Sequence, residues 1–148
     1  MDLESIYNKV VSILENDSTN LSYINKVYKG YRDNIPESMF PCIMVEVVNA
    51  PEDGNTMPND VMVQFGITIY GVIKVLDKDK QIVGDASIKG ILDLNKDIKK
   101  SLGAYITLDG ECITYSLPDT RFDFSSYPFR SVEIDMQIML SQSFVNRT

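Results

Sequence analysis

The sequence predicts an α+β fold, an antiparallel sheet of about four strands with two helices packed on one face. Three observations carry that prediction. Residues 60–75 (DVMVQFGITIYGVIKV) are the densest run of β-branched and aromatic residues in the chain. Residues 132–140 alternate cleanly, with Val132, Ile134, Met136, Ile138 and Leu140 set against Glu133, Asp135 and Gln137. That is the pattern of a half-solvated antiparallel strand, not of a doubly wound parallel sheet. Finally, residues 2–15 and a stretch from about 85 or 87 to 102 each carry one apolar stripe at helical spacing.

Composition bounds the function. The 148 residues, 44% of them hydrophobic, suit one domain with its core over about 3–140. No apolar run approaches the ~20 residues of a membrane span, and residues 1–14 are acidic and amphipathic. An intracellular product with no membrane partner is therefore expected. The net charge is −7 and the pI about 4.5, so no basic stripe displaces counterions from nucleic acid. Histidine is absent, which removes the commonest general base and metal ligand. Cys42 and Cys112 form neither a disulfide framework nor a metal spacing; both are expected as small buried hydrophobes.

In the first helix, Leu3, Ile6, Tyr7, Val10 and Leu14 make the stripe, Asp2 and Glu4 suit the N-terminal end of the dipole, and residues 16–20 stop it. Residues 21–40 read as irregular, mixing Tyr23, Lys26, Tyr28, Lys29, Tyr31 and Arg32. Such a tract is a structured connection, a protein-contact surface or a short nucleic-acid platform. Ile35–Pro36 and Phe40–Pro41 favour extended geometry leading into a strand over Cys42–Asn49. A long loop at 50–59 follows, broken by Pro51, Gly54 and Pro58 and carrying Glu52, Asp53 and Met57. It is expected to be mobile and ordered by a partner.

The central strand places Val61, Val63, Phe65, Ile67 and Ile69 on one face. Met62, Gln64, Gly66, Thr68 and Tyr70 make a mixed face that can meet water or a neighbouring subunit. At about 15 residues it would be roughly 50 Å long, so it bends at Gly66 or Gly71 or projects beyond the core. Residues 77–80 form a solvated charge cluster. In the second helix, Ile88, Ile91, Leu92, Asn95, Ile98 and Leu102 make the stripe, with Gly103 just past its end. Lys96, Lys99 and Lys100 either complement the helix dipole or form a binding patch.

Residues 105–108 and 111–117 read as short strands around the hairpin signal Asp109–Gly110. Residues 118–130 read as a second protruding loop bearing Phe122, Phe124, Tyr127 and Phe129 with Arg121 and Arg130. Aromatics and arginines at that density mark an interface core, or a loop tucked on its own core. Residues 141–148 form a tail, loose or docked on a neighbour.

Catalytic signatures are missing: the chain has no P-loop, GxGxxG, CxxC or GxSxG. The carboxylate pairs Glu52/Asp53, Asp77/Asp79 and Glu133/Asp135 lie in loops, a charge cluster and a wet strand face. They read as solubility groups, and residues 77–79 lack the other ligands of a calcium loop. No enzyme activity, cofactor or metal is expected.

The element order is helix, strand, long loop, long strand, helix, short strands, long loop, final strand. With Lys29–Gly30–Tyr31–Arg32 and the lead-in Phe40–Pro41–Cys42–Ile43–Met44–Val45–Glu46, this layout resembles the tail terminator (tail-completion) proteins of long-tailed bacteriophages. The resemblance spans about residues 3–140. It implies a hexameric ring that caps the head-proximal end of the tail tube and stops its polymerisation. The ring would contact the tail tube protein and the head–tail connector proteins, with DNA passing through without tight binding. The protein would be made in the host bacterial cytoplasm and end in the virion neck. Under that reading the interface candidates are Glu52, Asp53, Met57, Arg121, Phe122, Phe124, Tyr127, Phe129 and Arg130. A head–tail connector or stopper, and a soluble monomeric or dimeric binding module, are the competing expectations.

Overall fold

Apolar alternation and β-branching put residues 62–74 at the centre of the sheet, and the final alternating segment lies against them. The computed structural model describes residues 3–50, 62–105, 108, 114–123 and 127–141. In chain order the elements are α1 (Leu3–Asn16), β1 (Lys26–Lys29), β2 (Cys42–Asn49), β3 (Met62–Lys74), α2 (Ile91–Gly103), β4 (Thr114–Asp123) and β5 (Phe129–Ser141). The strands form one five-stranded sheet in the order β1-β2-β3-β5-β4. β1 runs parallel to β2, and every other pairing is antiparallel. The α+β class holds, with a mixed sheet that has one strand more than expected.

The additional strand is β1, in the tract read as irregular. Its four residues, Lys-Val-Tyr-Lys, bury only Val27, so it shows no period-two signal. The aromatic strip predicted as a loop at 118–130 is also mostly strand. β4 runs to Asp123 and β5 starts at Phe129. Two features hide β4: Pro118 sits where the register shifts between Ser116 and Asp119, and the strand is an edge, where proline is tolerated. The short strand expected at 105–108 is not formed at its described residues: Leu108 N–H donates to the Tyr105 carbonyl, closing a turn. Asp109–Gly110, residues 111–113, Cys112, the loop from 51 onward and the tail from 142 lie outside the described residues.

Both helices lie on one face, as expected. α2 packs on β3 and β5, and α1 packs on α2 and β1. Ile6, Val10 and Leu14 from α1 and Leu94, Ile98 and Leu102 from α2 are buried against Ile43, Val45, Phe65, Ile67, Ile69, Val132 and Ile134. β3 keeps an unbroken register with β5 through both Gly66 and Gly71, so neither glycine breaks this ladder. Gly71 serves close approach instead: a β-carbon there would stand 2.7 Å from Leu94 Cδ2.

The second helix starts later than its stripe suggested, at Ile91. Polar groups hold the preceding residues in a capped loop. Asp93 accepts from the backbone N–H of Gly84 and of Gly90 at 2.8 and 2.9 Å. Asp85 accepts from Ser87 and Ile88 N–H, both at 2.9 Å. Asp and Ser side chains that bond nearby backbone favour caps and turns over helix. At the other end Gly103 is the last helical residue and Ala104 the cap, one place later than expected.

Candidate interaction surface

The α-helices lie on one face; among the described residues no α-helix covers the opposite face, where strand pairing sets the side chains in rows. One row runs Met44, Tyr70, Glu133, Arg121 across β2, β3, β5 and β4; the next runs Glu46, Thr68, Asp135, Asp119. Residues directly opposite on one face are close enough to interact. Two rows therefore deliver three carboxylates to one guanidinium.

Arg121 Nη1 donates to Asp119 Oδ2 at 2.7 Å and to Asp135 Oδ2 at 2.8 Å; Nη2 donates to Asp135 Oδ1 at 3.0 Å and Glu133 Oε2 at 3.1 Å. The fork on Asp135 is the bidentate geometry that suits arginine. Thr68, only 4% exposed, adds a hydroxyl hydrogen bond to Asp135 Oδ1 at 3.1 Å. Arg121 above all, and then Thr68, hold the Asp135 carboxyl below its usual range, against the opposing effect of partial burial. Arg121 is correspondingly held more firmly protonated. These carboxylates are organised around a cation that the chain itself provides. Among the described residues no group of three or more His, Cys, Asp or Glu could hold a metal ion.

Beside this network lies a groove of about 340 Å³. Its far wall is the segment after β1. Gly30, at φ +90°, turns the chain onto the open face in a conformation natural to glycine. Tyr31 N–H then donates to Glu46 Oε2 at 2.9 Å and Arg32 N–H to Met44 Sδ at 3.2 Å. Asn25 Nδ2 donates to the Phe40 carbonyl at 2.7 Å, and Lys74 pairs with Glu37 at 3.0 Å. The floor is Met44, Tyr70 and Val72, and Asp33, Asp123 and Glu133 are among the charged residues of the lining. Two aromatic pairs shape it: Tyr31 meets Tyr70 edge-on at 5.1 Å, and Phe40 meets Phe129 at 4.9 Å. Burial, with Glu133 and Glu46 nearby, pushes the Tyr70 hydroxyl above its ordinary value.

The sequence-derived interface candidates fall into separate places. Arg121 anchors the network on the open face. Phe122 points the other way, level with Val132, and is 43% exposed. Tyr127, 53% exposed, donates its hydroxyl to the Leu76 carbonyl at 2.8 Å, with Lys78 4.9 Å above its ring. Phe129 packs on Phe40 in the groove. Arg130 Nε donates to Gln81 Oε1 at 3.0 Å, and buried Gln81 in turn donates to the Val75 carbonyl at 2.9 Å. Glu52, Asp53, Met57 and Phe124 lie outside the described residues. Tyr31, Tyr70, Met44, Asp33 and Asp123 were not among the candidates. Two signals bore on them: the mixed face of the central strand placed Tyr70 toward water or a neighbour, and the aromatic and basic tract, with a protein-contact surface among its readings, included Tyr31. No protein-family model matches this chain, and a search of the curated proteins finds no match either.

Proposed function

We propose that the chain is the subunit of a hexameric ring that caps the tail tube of a long-tailed bacteriophage and joins it to the head. The observation that carries this reading is the asymmetry of the sheet. One face is closed by two helices, and the other, which carries no α-helix among the described residues, presents an aromatic groove beside a carboxylate–arginine network. A cyclic ring needs two unlike patches on every subunit, one docking into the next. The element order that resembles the tail terminators adds support. So does the net charge of −7, since a channel wall that lets DNA slide should not grip phosphate. In this reading the protein is structural and not an enzyme; its open-face carboxylates serve contact and solubility.

The test is recruitment. Purified protein is mixed with uncapped tail tubes and viewed by negative-stain electron microscopy, with mass photometry of the protein alone. Rings with a central hole, seated on one tube end and blocking further elongation, are the expected result. Binding to the head side without any effect on tubes would move the protein to the connector role. Failure to engage either structure overturns the virion reading in favour of a soluble binding module.

A further inference from the structure

The outer side of α2 is a second polar surface, opposite in charge to the open sheet face. Ile91, Leu94, Ile98 and Leu102 bury the inner side, while Leu92, Lys96 and Lys100 are exposed and Lys99 half-exposed. The two acids of the helix are engaged elsewhere: Asp93 caps Gly84 and Gly90 N–H. Asp97 accepts from the Tyr23 hydroxyl at 2.6 Å and pairs with Lys89 at 3.6 Å. None of Lys96, Lys99 and Lys100 forms an ion pair among the described residues. On the other face, β4 and β5 present Asp119, Asp123, Glu133 and Asp135 around Arg121, and the groove beside them adds Asp33, Arg32 and Arg130, so acids there outnumber arginines five to three. One side of the subunit is therefore locally basic and the other locally acidic.

We infer that the lysine ridge of α2 docks head-to-tail into the open-face groove of a second copy of this chain. This rests on the ring reading above and identifies the contact that builds the ring. The dimensions agree: Leu92 to Lys100 spans about 12 Å of helix at 1.5 Å per residue. The groove crosses β2, β3, β5 and β4, three strand spacings or about 14 Å. The chemistry agrees too. Lysine stems lie on aromatic faces while the ammonium reaches past them, and Tyr31, Tyr70 and Phe129 line the groove with three acids, Asp33, Asp123 and Glu133, against two arginines, Arg32 and Arg130. Because the two patches lie on opposite layers of the subunit, the contact is heterologous and propagates from copy to copy until it closes.

Charge reversal tests this. One variant carries Lys96→Glu with Lys100→Glu; the other carries Asp33→Lys with Asp123→Lys. Melting curves establish that each is folded, and sedimentation velocity across a concentration series reads association. The wild type should associate at low salt and weaken as salt rises. Each variant alone should lose association by on the order of tenfold or more in Kd, because like charges now face each other. An equimolar mixture should recover it, since every contact again joins opposite signs, and should form even-numbered assemblies only. The inference is overturned by a wild type that stays monomeric at every concentration. It is also overturned by a lysine-reversed variant that associates like wild type, or by two folded variants whose mixture stays monomeric. Tube capping is scored separately. Charge-reversed protein that still caps tubes normally overturns this contact and leaves the terminator reading standing. A wild type that associates through these patches but never caps tubes overturns the terminator reading instead.

Discussion

Gly71 on β3 and Leu94 on α2 approach so closely that a β-carbon on the glycine would stand 2.7 Å from Leu94 Cδ2. The same carbon would lie 3.1 Å from Ile98 Cδ1 and from Val132 Cγ1. Leu94, Ile98 and Val132 are all fully buried, so none has free space to retreat into. Gly71→Ala should therefore lift α2 off the sheet locally and destabilise the fold by about 1–3 kcal/mol through overpacking. Urea unfolding followed by circular dichroism checks this, and a variant as stable as wild type would show that the helix shifts without strain.

The Arg121 network predicts a pH dependence of known sign. Asp135 has its folded carboxyl pKa held below the ordinary 3.8, chiefly by Arg121. A depressed carboxyl contributes stability that is present above its unfolded value and is lost as pH falls through the lower folded value. Arg121→Ala should thus lower stability at neutral pH, where it leaves Asp119, Glu133 and Asp135 facing one another unneutralised. The gap to wild type should close on acidification, as the carboxyls protonate. Arg121→Lys should fall between them, keeping the charge but losing the fork. Denaturation midpoints measured from neutral pH into the acid range would reveal the pattern. A gap that stays constant with pH would mean that the loss is one of packing and not of charge.

What was legible in the sequence divides along one physical line. Segments that bury a continuous stripe, such as Ile6 to Leu14, Phe65 to Ile73 and Val132 to Leu140, advertised both their type and their inward face. Segments held by polar groups or lying at an edge did not. β1 buries one side chain, and β4, legible up to Leu117 as the short strand expected there, was lost past Pro118 in its register shift. The loop before α2 is fixed by Asp85 and Asp93, whose roles depend on backbone partners that only the folded chain supplies. The groove was hidden for a related reason: Tyr31 and Tyr70 are 39 positions apart, and no periodic pattern links them. Arg121 was singled out for company with aromatics, but what defines it is pairing with acids placed opposite it on β5.

Cys42 offers a chemical readout of the sheet interior. It is fully buried, and burial pushes its thiol up to about 11, so at neutral pH it is neither reachable nor ionised. Iodoacetamide labelling of native protein followed by peptide mass spectrometry should leave the Cys42 peptide unmodified. The same peptide should label fully in denaturant. Native labelling at a substantial fraction of the denatured level would mean that the segment over β2 opens on the labelling timescale.

Phe122 and Phe129 have similar neighbours in sequence but opposite roles in the fold, and truncation should separate them. Phe129 packs at a tilt against Phe40, ring centroids 4.9 Å apart, and lines the groove, so Phe129→Ala removes an aromatic pair together with partly buried area. It should cost on the order of 1–2 kcal/mol. Phe122 sits on the edge strand and is 43% exposed. Phe122→Ala should leave the melting curve within about 0.5 kcal/mol of wild type. Under the proposed ring reading, exposed aromatic area of this kind belongs to a contact with a neighbour or with the tube. The folded Phe122→Ala protein should then occupy fewer tube ends at equal concentration. If it melts and caps tubes like wild type, Phe122 has no part in the contact; if it melts early, its ring is packed against the fold despite its exposure.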